Sequence, residues 1–179
     1  MLTIRHITTA SEYYSFVENL LESAFPKEEC RDKKLQRECT DNNPKFRCNL
    51  IQTTYGQPIG VITRWDFGDF IYIEHFAIEQ EERRHGYGSE ALSKLLKMEG
   101  KRAILEVEMP YYPNDAAMKR IQFYKRLGFQ LRRIPYKQPP YRKGDEWLPM
   151  KLMTYGKLNV TNRVINTIYH EVYNTELLK

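Results

Sequence analysis

Apolar and polar positions change period several times along this chain, and the changes mark its elements. Leu2 to Thr8 reads as a strand and Ser11 to Leu21 as a helix, with Ser11 suited to cap it. Glu28 to Thr40 reads as a charged, exposed helix. Asp41-Asn42-Asn43-Pro44 is a turn, because Asx residues and proline favour non-helical backbone. Phe46 to Tyr55 is a strand with a polar face, and Tyr55-Gly56-Gln57-Pro58 turns it into a second, Ile59 to Trp65. After Gly68-Asp69 comes a strongly apolar strand, Phe70 to Ile78. Three consecutive strands joined by short turns predict an antiparallel meander.

The period then becomes helical. Tyr87, Ala91, Leu92, Leu95, Leu96 and Met98 recur at helical spacing between Gly86 and Met98, and Gly100 stands where a C-cap glycine belongs. Ala103 to Val107 is a short strand of the buried type. Residues 70–107 therefore form a strand, loop, helix, strand unit, for which a parallel crossover is the natural arrangement. Asn114 to Arg126 is a further helix, closed by Gly128. Phe129 to Tyr136 and Leu148 to Thr154 read as late strands around a proline-rich loop. Val160, Val164, Ile165, Ile168, Tyr169, Val172 and Tyr173 mark an amphipathic C-terminal helix, able to pack on the sheet or to form a dimer interface. The whole predicts an α/β (α+β) fold, read as one domain over 1–179.

Composition narrows the class. No apolar run approaches the ~18 residues of a membrane helix, and the first residues carry no apolar leader, so the expected partners exclude a membrane and the expected location is cytoplasmic. Cys30, Cys39 and Cys48 form no CxxC pair, which predicts free thiols, and the spacing of histidines and carboxylates predicts no metal site. A net charge of +5 favours anionic partners without choosing among them. A nucleic-acid module would need a contiguous basic face with interleaved aromatics, whereas the basic residues here are dispersed; no nucleic acid is expected.

The densest basic cluster has a more specific reading. In Glu81-Glu82-Arg83-Arg84-His85-Gly86-Tyr87-Gly88-Ser89 a strand runs into a tight basic loop and a helix begins within the glycines. The first N–H groups of a helix lack intrahelical partners and sit at the positive end of its dipole, a setting that takes a pyrophosphate. Gly86 and Gly88 let backbone approach phosphate oxygens, Arg83 and Arg84 add charge, and Ser89 offers a hydroxyl. Alone, such a loop is also an ordinary basic turn.

Arg83-Arg84-His85-Gly86-Tyr87-Gly88 resembles the Arg/Gln-x-x-Gly-x-Gly/Ala signature of the GCN5-related N-acetyltransferases (GNAT), with the strand Ile73 to Ile78 at that family's spacing before it. Asn114-Asp115-Ala116-Ala117 followed by Phe123-Tyr124-Lys125-Arg126-Leu127-Gly128-Phe129 resembles the family's second motif, in the right order. The resemblance spans about residues 58–135.

It implies a mixed, mostly antiparallel sheet whose neighbouring parallel strands, 70–78 and 102–108, splay apart to admit acetyl-CoA as cosubstrate. Phe76 and Ile78 would offer backbone groups to its pantetheine arm, Asn114 a further hydrogen bond, and the segment Arg83, Arg84, His85, Gly86, Tyr87, Gly88 and Ser89 would hold its pyrophosphate. The implied activity is transfer of the acetyl group to a primary amine of a small molecule or protein, by direct attack in a ternary complex. Tyr124 matches the family's acid; its alternative is a core tyrosine beside Phe123.

Glu74 is the candidate base because a carboxylate interrupting an apolar strand must face a cleft or find a partner; a salt bridge is the other reading. His75 is a weaker alternative as base and reads more readily as a satisfied structural histidine. The loop Pro135 to Arg142 is placed to wall the acceptor pocket, or to serve as a rigid connector, and Trp65, Phe67 and Trp147 are further acceptor-side candidates. A monomer or homodimer is expected. The alternative function is a non-catalytic acyl-CoA-binding regulatory domain, or a basic nucleic-acid-binding module.

Overall fold

The computed structural model describes residues 1–110 and 116–175. Its elements are β1 (Leu2–Ile7), α1 (Tyr14–Ala24), α2 (Lys33–Asn42), β2 (Phe46–Thr53), β3 (Pro58–Asp66), β4 (Phe70–Ile78), α3 (Tyr87–Glu99), β5 (Arg102–Glu108), α4 (Ala116–Arg126), β6 (Gln130–Leu131), β7 (Lys137–Gln138), β8 (Leu148–Tyr155) and α5 (Asn162–Tyr173). The sheet runs β1-β2-β3-β4-β5-β8-β6, with β7 also on β8. Every pairing is antiparallel except β4 with β5. This is the mixed, mostly antiparallel sheet flanked by helices that the sequence predicts.

Two apolar layers hold the helices to the sheet. On one face Val17, Leu20 and Leu21 of α1 and Ile168, Val172 and Tyr173 of α5 pack over Val61, Tyr72 and Ile104. On the other, Ala91, Leu92, Leu95 and Leu96 of α3 and Ile121 and Tyr124 of α4 pack over Ile71, Ile73 and Leu105. The alternation along β4 sends Tyr72 to the first face and Ile71 and Ile73 to the second, as a strand of period two must. α5 therefore lies against the sheet.

Three elements differ from expectation. The helix expected from Glu28 to Thr40 is a short 3-10 turn, Lys27–Glu29, and then α2, which starts where the Asp32 side chain accepts the Leu35 N–H at 2.9 Å. After that cap α2 runs on to Asn42, into the first half of the expected turn. The strand expected from Phe129 to Tyr136 pairs only at Gln130 and Leu131, because Pro135 brings no N–H to a ladder, and pairing resumes at β7. Ser11 precedes α1 without capping it; its Oγ accepts the Tyr13 N–H at 3.3 Å and the helix begins at Tyr14.

Candidate active site

β4 and β5 pair in parallel from Phe70↔Arg102 only as far as Ile73↔Leu105. Beyond that point the strands diverge, and β4 from Glu74 to Ile78 has no strand partner on its β5 side. Its other edge stays on β3, with Ile62 opposite Phe76 and Gly60 opposite Ile78. The unpaired edge leaves backbone donors and acceptors that need partners. One is already met: Arg83 Nε donates to the Ile78 carbonyl at 3.0 Å.

The β3–β4 register shifts between Thr63 and Arg64, so that Thr63 faces His75 while Arg64 faces Ile73, and Glu74 is the extra residue of a bulge. The bulge breaks the alternation and brings Glu74 and His75 to one side. Both meet Tyr141, Glu74 through the tyrosine hydroxyl at 2.8 Å and His75 ring to ring at 6.3 Å. His75 is 4% exposed and saturated: Nε2 lies 2.8 Å from the Glu29 carbonyl and Nδ1 3.2 Å from the Thr63 hydroxyl. Burial holds its pKa below the usual value despite the neighbouring Glu74 and the Glu29 carbonyl, so it is neutral, and its 3.7 Å approach to Glu74 is not an ion pair.

The Glu74 carboxylate is enclosed and fully engaged. Arg31 Nη2 lies at 2.5 Å, and the guanidinium itself sits against the rings of Trp65 and Tyr141. Burial would raise this carboxyl, but Arg31 and the hydrogen bonds from Arg31 and Tyr141 hold it below its ordinary range.

Two chambers meet at the splay. The outer one, about 410 Å³, is bounded by Phe76, Ile78, Arg83, Arg84, Gly86, Gly88 and Ser89 on the loop side and by Arg120, Phe123 and Tyr124 on α4. At its floor α3 starts from Gly86, whose φ is +81°, and Arg84 also takes a left-handed φ of +70°. A non-glycine residue in that region stores of order 1 kcal/mol, and such strain gathers at ligand sites. Left-handed residues this close together, Arg84 and Gly86, belong to the kind of backbone that forms a concavity for an anion. A Cβ on Gly88 would meet Phe123 and Phe76 only at 3.6–3.7 Å, ordinary contact. His85 and Tyr87 approach each other ring to ring at 5.8 Å and do not line this chamber. Unpaired amides, two arginines and a helix start suit a pyrophosphate with an extended arm along β4, so the residues present fit CoA.

The inner chamber, about 250 Å³, shares Phe76, Ile78, Arg83, Arg120 and Tyr124 with the outer one. Tyr124 borders both, and its hydroxyl makes no hydrogen bond among the described residues. Burial pushes its hydroxyl up to about 12, only slightly eased by Arg120, so it carries its proton at neutral pH.

A second carboxylate, absent from the sequence reading, faces this chamber. Tyr136 donates to Glu106 Oε1, and Tyr173 donates to Oε2 at 2.8 Å. With its proton spent on Glu106, Tyr173 must accept from Tyr72, 2.9 Å away. Burial raises Glu106 to about 7 against these hydrogen bonds, with Glu74 adding repulsion. Glu106 interrupts the apolar run of β5 as Glu74 interrupts β4, and that signal was open to sequence reasoning.

The proline-rich loop supplies Gln138 and Tyr141 to the inner chamber, whereas Phe67 and Trp147 lie outside it. Trp65 is core, 2% exposed, under Arg31. Asn114 lies outside the described residues. Among the described residues no group of His, Cys, Asp or Glu is arranged to hold a metal ion, and no helix is long and apolar enough to cross a membrane.

The sheet is thus splayed at its parallel pair, with an anion loop at the mouth of the splay. A family model of the acetyltransferase (GNAT) family matches residues 13–129, and the chain belongs to that family. A solved structure of a Bacteroides thetaiotaomicron protein assigned to GNAT acetyltransferases is 39% identical, with a TM-score of 0.91 over 97% of this chain and 99% of that one. The Vibrio cholerae spermidine N-acetyltransferase, solved with CoA and spermine, shares 14% identity and a TM-score of 0.63 over 86% of this chain and 94% of its own. A GNAT acetyltransferase from Elizabethkingia anophelis, solved with acetyl-CoA, shares 15% identity and a TM-score of 0.56 over 86% and 97%. The latter two show likeness of fold. No curated protein matches the chain.

Proposed function

We propose that this protein transfers an acetyl group from acetyl-CoA to a primary amine, with both substrates held in one cleft. The observation that carries the reading is the joining of the two chambers at the splay, with the anion loop at one end and Tyr124 and Glu106 at the junction and the far end.

Acetyl-CoA supplies the acetyl group as a thioester. Arg83, Arg84 and the amides from Arg84 to Ser89 hold its phosphates, and the free edge of β4 near Phe76 and Ile78 aligns its arm. A backbone N–H of that edge steadies the negative charge that grows on the acetyl oxygen. Glu106 takes the proton that the attacking ammonium must lose, because it is accessible from the chamber and its affinity for a proton is matched to neutral pH. The C–N bond forms as the C–S bond breaks; Tyr124 gives its proton to the departing sulfur and is restored by the second proton, which the acylated nitrogen sheds. Glu74, held ionised by Arg31, serves better as a fixed charge that raises Glu106 than as the base.

The test is a thermal shift with acetyl-CoA, CoA, desulfo-CoA and ATP, followed by a free-thiol assay over a panel of amines. A ligand that binds only the folded state raises its apparent stability by mass action. A shift specific to the CoA compounds, with thiol release on adding an amine, is the expected result. An equal shift with ATP would reduce the loop to a generic anion site.

A further inference from the structure

The inner chamber is acidic in a chain whose net charge is +5. Four carboxylates border it, and two are neutralised on the spot: Glu74 by Arg31 at 2.5 Å and Glu108 by Arg120 Nη1 at 2.9 Å. Glu29 and Glu106 have no cation within 4 Å among the described residues. Glu106 closes the floor beneath Tyr72, Tyr136 and Tyr173, while Glu29 ends the 3-10 turn that walls the chamber from the α1 side. Leaving two half-buried carboxylates without counter-ions is costly, and both respond by holding their protons to about pH 7.

Gln138 adds an independent sign of a ligand. It is 3% exposed, it lines the chamber, and its Nε2 is buried without a hydrogen-bond partner. Neither amide atom is bonded among the described residues, so turning the amide sacrifices no hydrogen bond and presents Oε1 to a donor. An enclosed amide lacking any partner is rare unless something outside the chain completes it.

We propose that the inner chamber receives an acceptor with two positive charges, an α,ω-diamine or a longer amine of that kind, with the reacting nitrogen at Glu106 and the second ammonium at Glu29, beside the Gln138 amide. The assignment rests on the acetyltransfer reading for which nitrogen reacts, but the two-cation site itself does not. One charge would satisfy one carboxylate and leave the other half-buried and unpaired; two satisfy both. A carboxylate-bearing amine would meet repulsion from the unfilled Glu29.

The groups facing Glu106 are Tyr72, Tyr136, Tyr141, Tyr169, Tyr173 and Glu74, and those facing Glu29 are Glu28, Cys30, Glu108 and Arg120. Among these, Arg120 sits at 2.9 Å on Glu108, so it answers Glu29 only in part. A dication must displace the protons held by Glu29 and Glu106, so its binding tightens from pH 6 to pH 8.

The experiment is calorimetry on the full chain, free and saturated with CoA, against α,ω-diamines of three to six carbons. The matching monoamines, amino alcohols and ω-amino acids serve as controls. The expected result is a diamine that binds about tenfold or more tighter than its monoamine and amino alcohol, with the amino acid weakest. Glu29→Gln should bring the diamine down to the monoamine's affinity while CoA binding is kept, which also shows that the variant folds. Equal affinity for diamine and monoamine, no binding by any diamine, or an unchanged diamine affinity in Glu29→Gln would each overturn the proposal. Failure of CoA to bind, with diamine discrimination intact, would sink the acetyltransfer reading and leave the two-cation site standing.

Discussion

Tyr124 shows how one side chain can satisfy packing and chemistry together. Its ring is held edge-on by Phe123 at 5.2 Å and Phe129 at 5.5 Å, so it has the contacts of a core tyrosine. Its hydroxyl nonetheless borders both chambers and keeps its proton to about pH 12. Tyr124→Phe preserves the ring contacts and removes only the acid. We expect turnover to fall by about 10²-fold or more, with CoA affinity changed less than twofold, since general acid catalysis is worth roughly 10²–10⁴-fold. Steady-state kinetics with a parallel CoA titration check this; an unchanged kcat would return Tyr124 to the core.

At the scale of the element, the anion site depends on how α3 begins. Gly86 holds a φ of +81°, and a Cβ there would meet nothing within 4 Å, so space is not what excludes a side chain. The constraint is the left-handed backbone, which costs an L residue about 1–2 kcal/mol and a β-branched one more. Gly86→Val relieves that strain only by turning the loop amides away from the phosphates. The expected outcome is a loss of stability of about 1–2 kcal/mol and loss of measurable CoA binding. Equal CoA affinity in Gly86→Val and the parent would remove the loop from the site. The bulge at Glu74 is the other decisive local feature, since it carries Glu74 and His75 to the same face.

Across the whole molecule, opposed carboxylates set the dependence of stability on pH. Glu18, Asp41, Asp66 and Glu74 have pKa values lowered on folding, so their contribution is present above the ordinary carboxylate value and is lost as pH falls through it. Glu29 and Glu106 are raised, to about 7 each, so theirs is present below about 4.5 and is lost as pH rises to about 7. The thermal midpoint of the ligand-free protein should therefore peak near the ordinary carboxylate value, at about pH 4.5 to 5, decline to about pH 7 and level off above it. Glu106→Gln should flatten the decline. A midpoint that climbs steadily to pH 8 would show that neither carboxyl is held protonated.

The sequence by itself determined most of the elements and marked the Arg83 to Ser89 loop as the candidate anion site. Apolar periods alone were enough for β4, found at its full extent, and for α3 with its glycine stop, because both signals are local. The Arg83 to Ser89 loop was legible for the same reason: a helix start, glycines and arginines occupy one continuous stretch. Only the tertiary structure decided the inner half of the site. Glu74 alone could be a base or half of a salt bridge; Arg31, 43 residues away in sequence, made it the second. Glu106 owes its raised affinity for a proton to burial, against hydrogen bonds from Tyr136 and Tyr173, side chains that a late loop and α5 bring to it. The affinity of a carboxylate for a proton depends on burial and on charges brought near by folding, and no spacing along the chain encodes either.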